Sequence, residues 1–151
     1  MTAPAADHVR PGRTATAFNT TVAWLARRGV SLYGSRELAV RGRTSGEWRT
    51  TPVNVLAVDG GEYLVAARGV TQWVRNMRVA GSGELRLGRN ADSFTATEVT
   101  DPAAKVPVLR AYLRKWAWEV GAFFPGLSAD SSDDELAAAA VRYPVFVLHR
   151  P

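Results

Sequence analysis

Ten consecutive residues hold most of the chemistry that this sequence displays: Arg43-Thr44-Ser45-Gly46-Glu47-Trp48-Arg49-Thr50-Thr51-Pro52. Two arginines, hydroxyl side chains and a glycine crowd a tight turn between two apolar strands. Such a turn aims backbone N–H groups, hydroxyls and guanidiniums at one anion. Each charge-assisted bond to a phosphate contributes roughly 1.5–3 kcal/mol. The same residues also suit a plain turn, with Gly46 supplying the conformation and the arginines solvated. A second segment, Tyr63–Arg78, tilts the balance towards an anion site. There a strand ends in Ala66-Ala67-Arg68-Gly69, and a helix follows that carries Trp73 and Asn76. Small residues at a strand end let a planar ring approach the backbone, Arg68 adds positive charge, and Trp73 is placed either to cover the ring or to pack in the core.

The elements that must position these groups follow from periodicity. Residues 1–13 are small, polar and proline-containing, and read as a flexible N-terminal arm. From Thr14 to Arg28, Phe18, Val22 and Leu25 recur at helical spacing, with Trp24 beside them; Arg27, Arg28 and Gly29 form a stop signal. Arg36–Arg43 alternates, with Leu38 and Val40 on one face and Glu37, Ala39 and Arg41 on the other. Trp48–Val58 is β-rich, and Asp59-Gly60-Gly61 signals a hairpin into Glu62–Ala67. Val70–Ala80 reads as a short helix. Glu84–Gly88 and Ser93–Thr100 form a hairpin around Arg89-Asn90-Ala91-Asp92.

The last third is helical. Asp101-Pro102 is an N-cap with proline at the first helical position, and Val106, Leu109, Leu113, Trp116 and Val120 form an apolar stripe. Ser132–Val141 reads as a second, alanine-rich helix, and Pro144–His149 as a closing strand. Hairpins imply antiparallel pairing. The expectation is therefore an α+β domain whose five or so strands curl into a barrel, one domain over residues 14–151.

Composition narrows the chemistry. The chain of 151 residues is 46% hydrophobic and 22% charged, ordinary for one globular domain. It has no cysteine, which excludes disulfides, thiolate metal sites and a cysteine nucleophile. His8 and His149 lie near opposite ends, so no metal site is expected. The net charge of +5 is carried mostly by arginine, because Lys105 and Lys115 are the only lysines. These arginines form no stripe on one helix and no nucleic-acid-binding motif is present, so no nucleic-acid partner is expected. The first residues contain no apolar signal core and no run reaches the length of a membrane span, so a cytoplasmic protein is expected. The helix of Phe18, Val22, Trp24 and Leu25 with Arg27 and Arg28 either plugs the barrel or makes weak peripheral contact with the inner face of the cell membrane.

Three strings taken together carry a family resemblance: Gly42-Arg43-Thr44-Ser45-Gly46 with Arg49-Thr50-Thr51-Pro52-Val53, then Asp59-Gly60-Gly61 with Tyr63-Leu64-Val65-Ala66-Ala67, then Trp73-Val74-Arg75-Asn76-Met77-Arg78. With the terminal Tyr143-Pro144-Val145-Phe146-Val147-Leu148, they resemble the deazaflavin-dependent nitroreductase and quinone reductase family over residues 36–148. The resemblance implies an FMN-binding-like split β-barrel and coenzyme F-420, a deazaflavin with a phosphodiester and a polyglutamate tail. It implies that Arg43, Thr44, Ser45, Gly46, Arg49 and Pro52 form the turn that binds the cofactor phosphate. Ala66, Ala67 and Arg68 then line the ring, with Trp73 and Asn76 near ring and phosphate. Many relatives have lysine at the position of Thr44, so that contact is either lost here or supplied by Arg68. Some relatives place a serine where this chain has Ala67, which has no hydroxyl.

The implied activity is hydride transfer from the reduced cofactor to a small-molecule electron acceptor, such as a quinone, nitroaromatic or enone. The cofactor carries that chemistry, and no catalytic side chain is therefore required of the protein. Trp24, Phe18 and Trp116, with Phe123 and Phe124, are candidates to wall an acceptor pocket, or else are core. FMN is the alternative cofactor, since it too ends in a phosphate. A non-catalytic module that holds the cofactor or a fatty acid is the alternative outside enzymes. Relatives occur as monomers and as homodimers, and both states remain open for this chain.

Overall fold

The computed structural model describes residues 35–151. The helix expected over residues 14–28, with Phe18 and Trp24, and the arm before it lie outside the described residues.

Seven strands form one sheet: β1 (Ser35–Arg41), β2 (Trp48–Asn54), β3 (Leu56–Val58), β4 (Gly61–Val65), β5 (Ser82–Leu87), β6 (Asn90–Val99) and β7 (Val145–His149). Their order is β2-β1-β5-β6-β7-β4-β3, and every neighbouring pair is antiparallel. The β-rich run Trp48–Val58 is two strands, not one. Val55 separates β2 from β3, which stand at opposite edges of the sheet. Only one residue intervenes, and each residue spans at most about 3.6 Å, so the two edges must meet. The sheet therefore curls into a split β-barrel, and β2 approaches β4 across the seam. Proline is tolerated at Pro52 because β2 is an edge strand.

The turns obey local chemistry. Asp59 and Gly60 have φ of 51° and 78° between the paired Val58 and Gly61, the two left-handed residues of a type I′ turn. The β5–β6 hairpin is tighter than its sequence implies. Leu87 pairs with Asn90, so the turn is Gly88-Arg89, with Gly88 at φ 61°, and Asn90-Ala91-Asp92 belong to β6. In β1, Leu38 and Val40 are buried as expected, but Ala39 is also fully buried and Glu37 nearly so. The small side chain at 39 belongs to a close strand contact: a methyl group on Gly83 would lie 2.6 Å from the Ala39 carbonyl oxygen.

Among the described residues, three α-helices flank the sheet. α1 (Gln72–Ala80) buries Val74, Asn76 and Met77, and ends at Gly81, whose left-handed backbone returns its N–H to the Met77 carbonyl. It begins at Gln72, with Thr71 as its N-cap, two residues later than the pattern from Val70 implies. α2 (Pro102–Val120) starts on the Asp101 side chain, which accepts the Ala103 N–H at 3.1 Å. The expected stripe of Val106, Leu109, Leu113, Trp116 and Val120 is buried. Trp116 has non-helical angles (φ −126°, ψ 17°), and the helix kinks there. α3 (Asp133–Ala139) opens on a capping box between Ser132 and Glu135 and passes into a 3-10 turn at Ala140–Arg142 rather than continuing to Val141.

Two cores result. One joins α1 to the sheet through Leu38, Val40, Val74, Met77, Leu85 and Phe146. The other joins α2 and α3 to β7 through Leu109, Leu113, Trp116, Phe124, Leu136 and Val145. Among the described residues, no helix is long and apolar enough to cross a membrane.

Candidate cofactor site

Between these cores opens a cavity of about 1090 Å³. The β1–β2 turn forms one wall. Its shape comes from two backbone bonds, Gly42 N–H to the Glu47 carbonyl at 2.8 Å and Gly46 N–H to the Gly42 carbonyl at 2.9 Å, with Gly46 at φ 74°. The Ser45 hydroxyl accepts the Glu47 N–H at 3.2 Å. The turn is close-packed at Gly42, where a methyl group would lie 2.9 Å from Ser45 Oγ and would turn that hydroxyl aside. The turn thereby presents Arg43, Thr44, Ser45, Arg49 and Pro52 to the cavity, while Gly46 shapes the turn without lining it.

α1 forms the facing wall. Asn76 is buried, and its Oδ1 accepts both the backbone N–H of Arg43 at 3.1 Å and the Arg43 guanidinium at 2.8 Å. One amide thus fixes the turn and its charge. Thr71, Gln72 and Trp73 at the start of α1 also line the cavity. The Thr71 hydroxyl is buried without a hydrogen-bond partner, even though Thr71 is the N-cap. A helix start favours negative charge, because its first N–H groups are unpaired and the helix dipole is positive there. Trp73 does two things: it packs on Phe146, with ring centroids 5.7 Å apart, and lines the cavity.

The end of β4 supplies the floor. Ala67 and Arg68 line the cavity, whereas Ala66 is buried behind them with its N–H on the Pro144 carbonyl at 2.8 Å. The Arg68 guanidinium stands 5.3 Å from the Phe123 ring centroid, and burial lowers its pKa, opposed by the Tyr112 phenol.

Of the candidate acceptor-pocket residues, Trp116 faces the other way. It is fully buried, packs against Tyr112 at 5.2 Å between ring centroids, and does not line the cavity. The stripe that placed it in sequence is the core-facing stripe of α2. Phe124 likewise is core, stacked on Tyr143, while Phe123 does line the cavity.

The wall opposite the arginine turn holds residues that no sequence signal marks: Asn54 at the end of β2, and Tyr112, Trp118 and Glu119 of α2. Asn54 Nδ2 donates to Glu119 Oε2 at 3.0 Å and its side chain also bonds the Tyr112 phenol. Burial pushes Tyr112 far above the ordinary tyrosine range, and the Glu119 charge adds to this. Burial also pushes the Glu119 carboxyl up, against the bond from Asn54. Among the described residues, no group of three or more His, Cys, Asp or Glu could hold a metal ion.

Such a cavity suits a planar molecule with an anionic tail. Arginines, hydroxyls and a helix start gather at one side; small and aromatic residues line the other. The unpartnered Thr71 hydroxyl is a polar atom that a bound group would satisfy.

The family model described as F420H(2)-dependent quinone reductase matches residues 16–118. Among solved structures, a conserved hypothetical protein of Mycobacterium tuberculosis, Rv2991, is similar with a TM-score of 0.51 at 18% identity, covering 96% of this chain and 83% of that one. A structure described as an F420-H2 dependent reductase (FDR-A) gives 0.52 at 16% identity over 77% of this chain and 94% of its own. A chain described as a domain-swapped dimer gives 0.55 at 15% identity over 91% and 100%. No curated protein matches the sequence. The solved structures share the fold; the family model carries the assignment. The chain belongs to the F420H(2)-dependent quinone reductase family.

Proposed function

We propose that this protein binds reduced coenzyme F-420 in the cavity and passes its hydride to an electron-poor small molecule, a quinone, nitroaromatic or enone. The observation that carries the reading is the Arg43–Asn76 lock: a buried amide holds a cationic turn on a cavity that is also lined by Ala67, Trp73 and Phe123. Arg43, Arg49, Ser45 and the Thr71 hydroxyl would hold the anionic tail, with charge-assisted bonds stronger than neutral ones. Ala67, backed by the tightly packed Ala66, leaves room for a flat ring against the β4 backbone, and Trp73 and Phe123 flank it. The reduced deazaflavin supplies the hydride when bound; the protein binds, orients and limits water.

Thr44 stands where many relatives carry lysine, and Arg68 is the cation that lines the cavity closest in sequence to the ring strand. A homodimer is the assembly proposed, on the likeness to a fold described as a domain-swapped dimer; sedimentation velocity measures it. The test of the activity is oxidation of reduced coenzyme F-420 followed by absorbance, with naphthoquinone, a nitroaromatic and cyclohexenone as acceptors. Turnover with at least one acceptor is expected. Binding without turnover on any of them would leave a cofactor-holding module instead.

A further inference from the structure

A carbonyl acceptor that receives a hydride must also receive a proton, and the ring wall of the cavity provides none. Ala67 has no hydroxyl, and a guanidinium is not an acid that gives up its proton. Tyr112 is fully enclosed, and its phenol is held far above the range in which it would release a proton. Among the described residues lining the cavity, Glu119 is the one carboxylic acid.

We propose that Glu119 is the proton donor to the reduced acceptor, held in place by Asn54. This rests on the reductase reading above. Asn54 fixes Oε2 at 3.0 Å, which leaves Oε1 as the oxygen that carries and delivers the proton. Two features of the fold set this up. Trp118, Glu119 and Val120 at the end of α2 line the cavity, and Glu119 stands two helical turns after Tyr112, which lines it too. Asn54 is the last residue of β2, beside the corner where the barrel closes onto β3. The group is half-buried, so solvent can reach it to restore the proton.

The step balances. A hydride received from the reduced deazaflavin forms a C–H bond at the electron-poor carbon of an enone, and the C=C pair shifts to the carbonyl oxygen. The Glu119 O–H bond breaks as its proton goes to that oxygen. The acceptor gains two electrons and two hydrogens, the cofactor is oxidised, and the carboxylate is reprotonated from water. The same transfer serves a quinone, whose oxygen becomes a hydroxyl. The groups facing Glu119 are Asn54 from β2 and Tyr112 from its own helix, with the Arg68 charge from the loop after β4 acting on Tyr112. Burial raises the carboxyl, the direction that favours the protonated donor.

Glu119→Gln tests this, with Glu119→Asp as the conservative variant. With cyclohexenone, whose enolate is basic, wild-type kcat should fall as pH rises through the raised carboxyl pKa and show a solvent deuterium effect. E119Q should be roughly a hundredfold slower, as expected for loss of a general acid, and should lose both the alkaline limb and the isotope effect. E119D should restore part of each. In the protein without cofactor, infrared titration should show a protonated-carboxyl band that persists above the ordinary glutamate range and is absent from E119Q. Coenzyme F-420 affinity, read by fluorescence, should be retained in E119Q. An E119Q enzyme that binds F-420 and reduces cyclohexenone at the wild-type rate with the wild-type pH profile would overturn the proposal alone. Failure of the wild type to bind F-420 would overturn the reductase reading and the proposal with it.

Discussion

Asn76 and Arg43 lie 33 residues apart and act as one unit. A single carbonyl oxygen accepts from both the Arg43 backbone and its guanidinium, so the shape of the turn proposed to bind the anionic tail depends on a residue of α1. Loss of a bond to a charged group in a buried setting costs about 1.5–3 kcal/mol. Asn76→Leu should therefore weaken coenzyme F-420 binding by roughly tenfold or more, through the position of Arg43 rather than a lost cofactor contact; isothermal titration checks it. Arg49→Ala removes charge directly and should weaken binding severalfold with an unchanged melting temperature. An Arg49→Ala protein of wild-type affinity would remove Arg49 from the phosphate site. In sequence both residues stood out by type, Arg43 in the turn and Asn76 on the helix. Their mutual bond did not, because it depends on how α1 docks against β1. Glu119 is hidden for a related reason: an acidic residue in the last turn of a helix is ordinarily a solvated one, and its place at the cavity depends on how α2 docks against the end of β2.

At the scale of elements, local signals were read well where they act over a few residues. The Asp101-Pro102 start and the Asp59-Gly60 turn are each a short-range match between backbone and side chain, and each stands in the structure. The structure adds the capping box of α3: Ser132 Oγ accepts the Glu135 N–H at 3.1 Å and Glu135 Oε1 accepts the Ser132 N–H at 2.9 Å. Ser132→Ala should lower stability by about 1 kcal/mol, measured by urea denaturation. The bonds to Ser132 hold the Glu135 pKa below the ordinary range, so this contribution is present above the ordinary glutamate pKa and is lost as pH falls through the lowered one. Signals that depend on neighbouring strands were read less well. The β5–β6 turn was placed too late because Asn-Ala-Asp has turn composition, whereas the strand register puts Gly88-Arg89 at the tip. Gly83 gave no sign of its importance. With the Ala39 carbonyl 2.6 Å from where its Cβ would stand, Gly83→Ala should cost about 1–3 kcal/mol and lower the melting temperature. An unchanged melting temperature would show that β1 and β5 separate freely.

Across the whole molecule, hairpin signals made an antiparallel barrel legible, but not its strand count or order. The run Trp48–Val58 has uniform strand composition, and nothing in it marks Val55 as the point where the chain leaves one edge of the sheet for the other. That crossing closes the barrel, brings Asn54 to α2, and sets the arginine turn and the Glu119 wall on opposite sides of one cavity. The side proposed to bind the anionic tail is thus largely readable from residue types, and the side proposed to receive the acceptor is not. Ala67→Trp should abolish cofactor binding by bulk while leaving the fold intact by circular dichroism. The most direct test of the central claim is a fluorescence titration of the wild-type protein with coenzyme F-420, with FMN titrated in parallel. Micromolar or tighter binding of the deazaflavin and much weaker binding of FMN is the expected result; preference for FMN, or binding of neither, would contradict it.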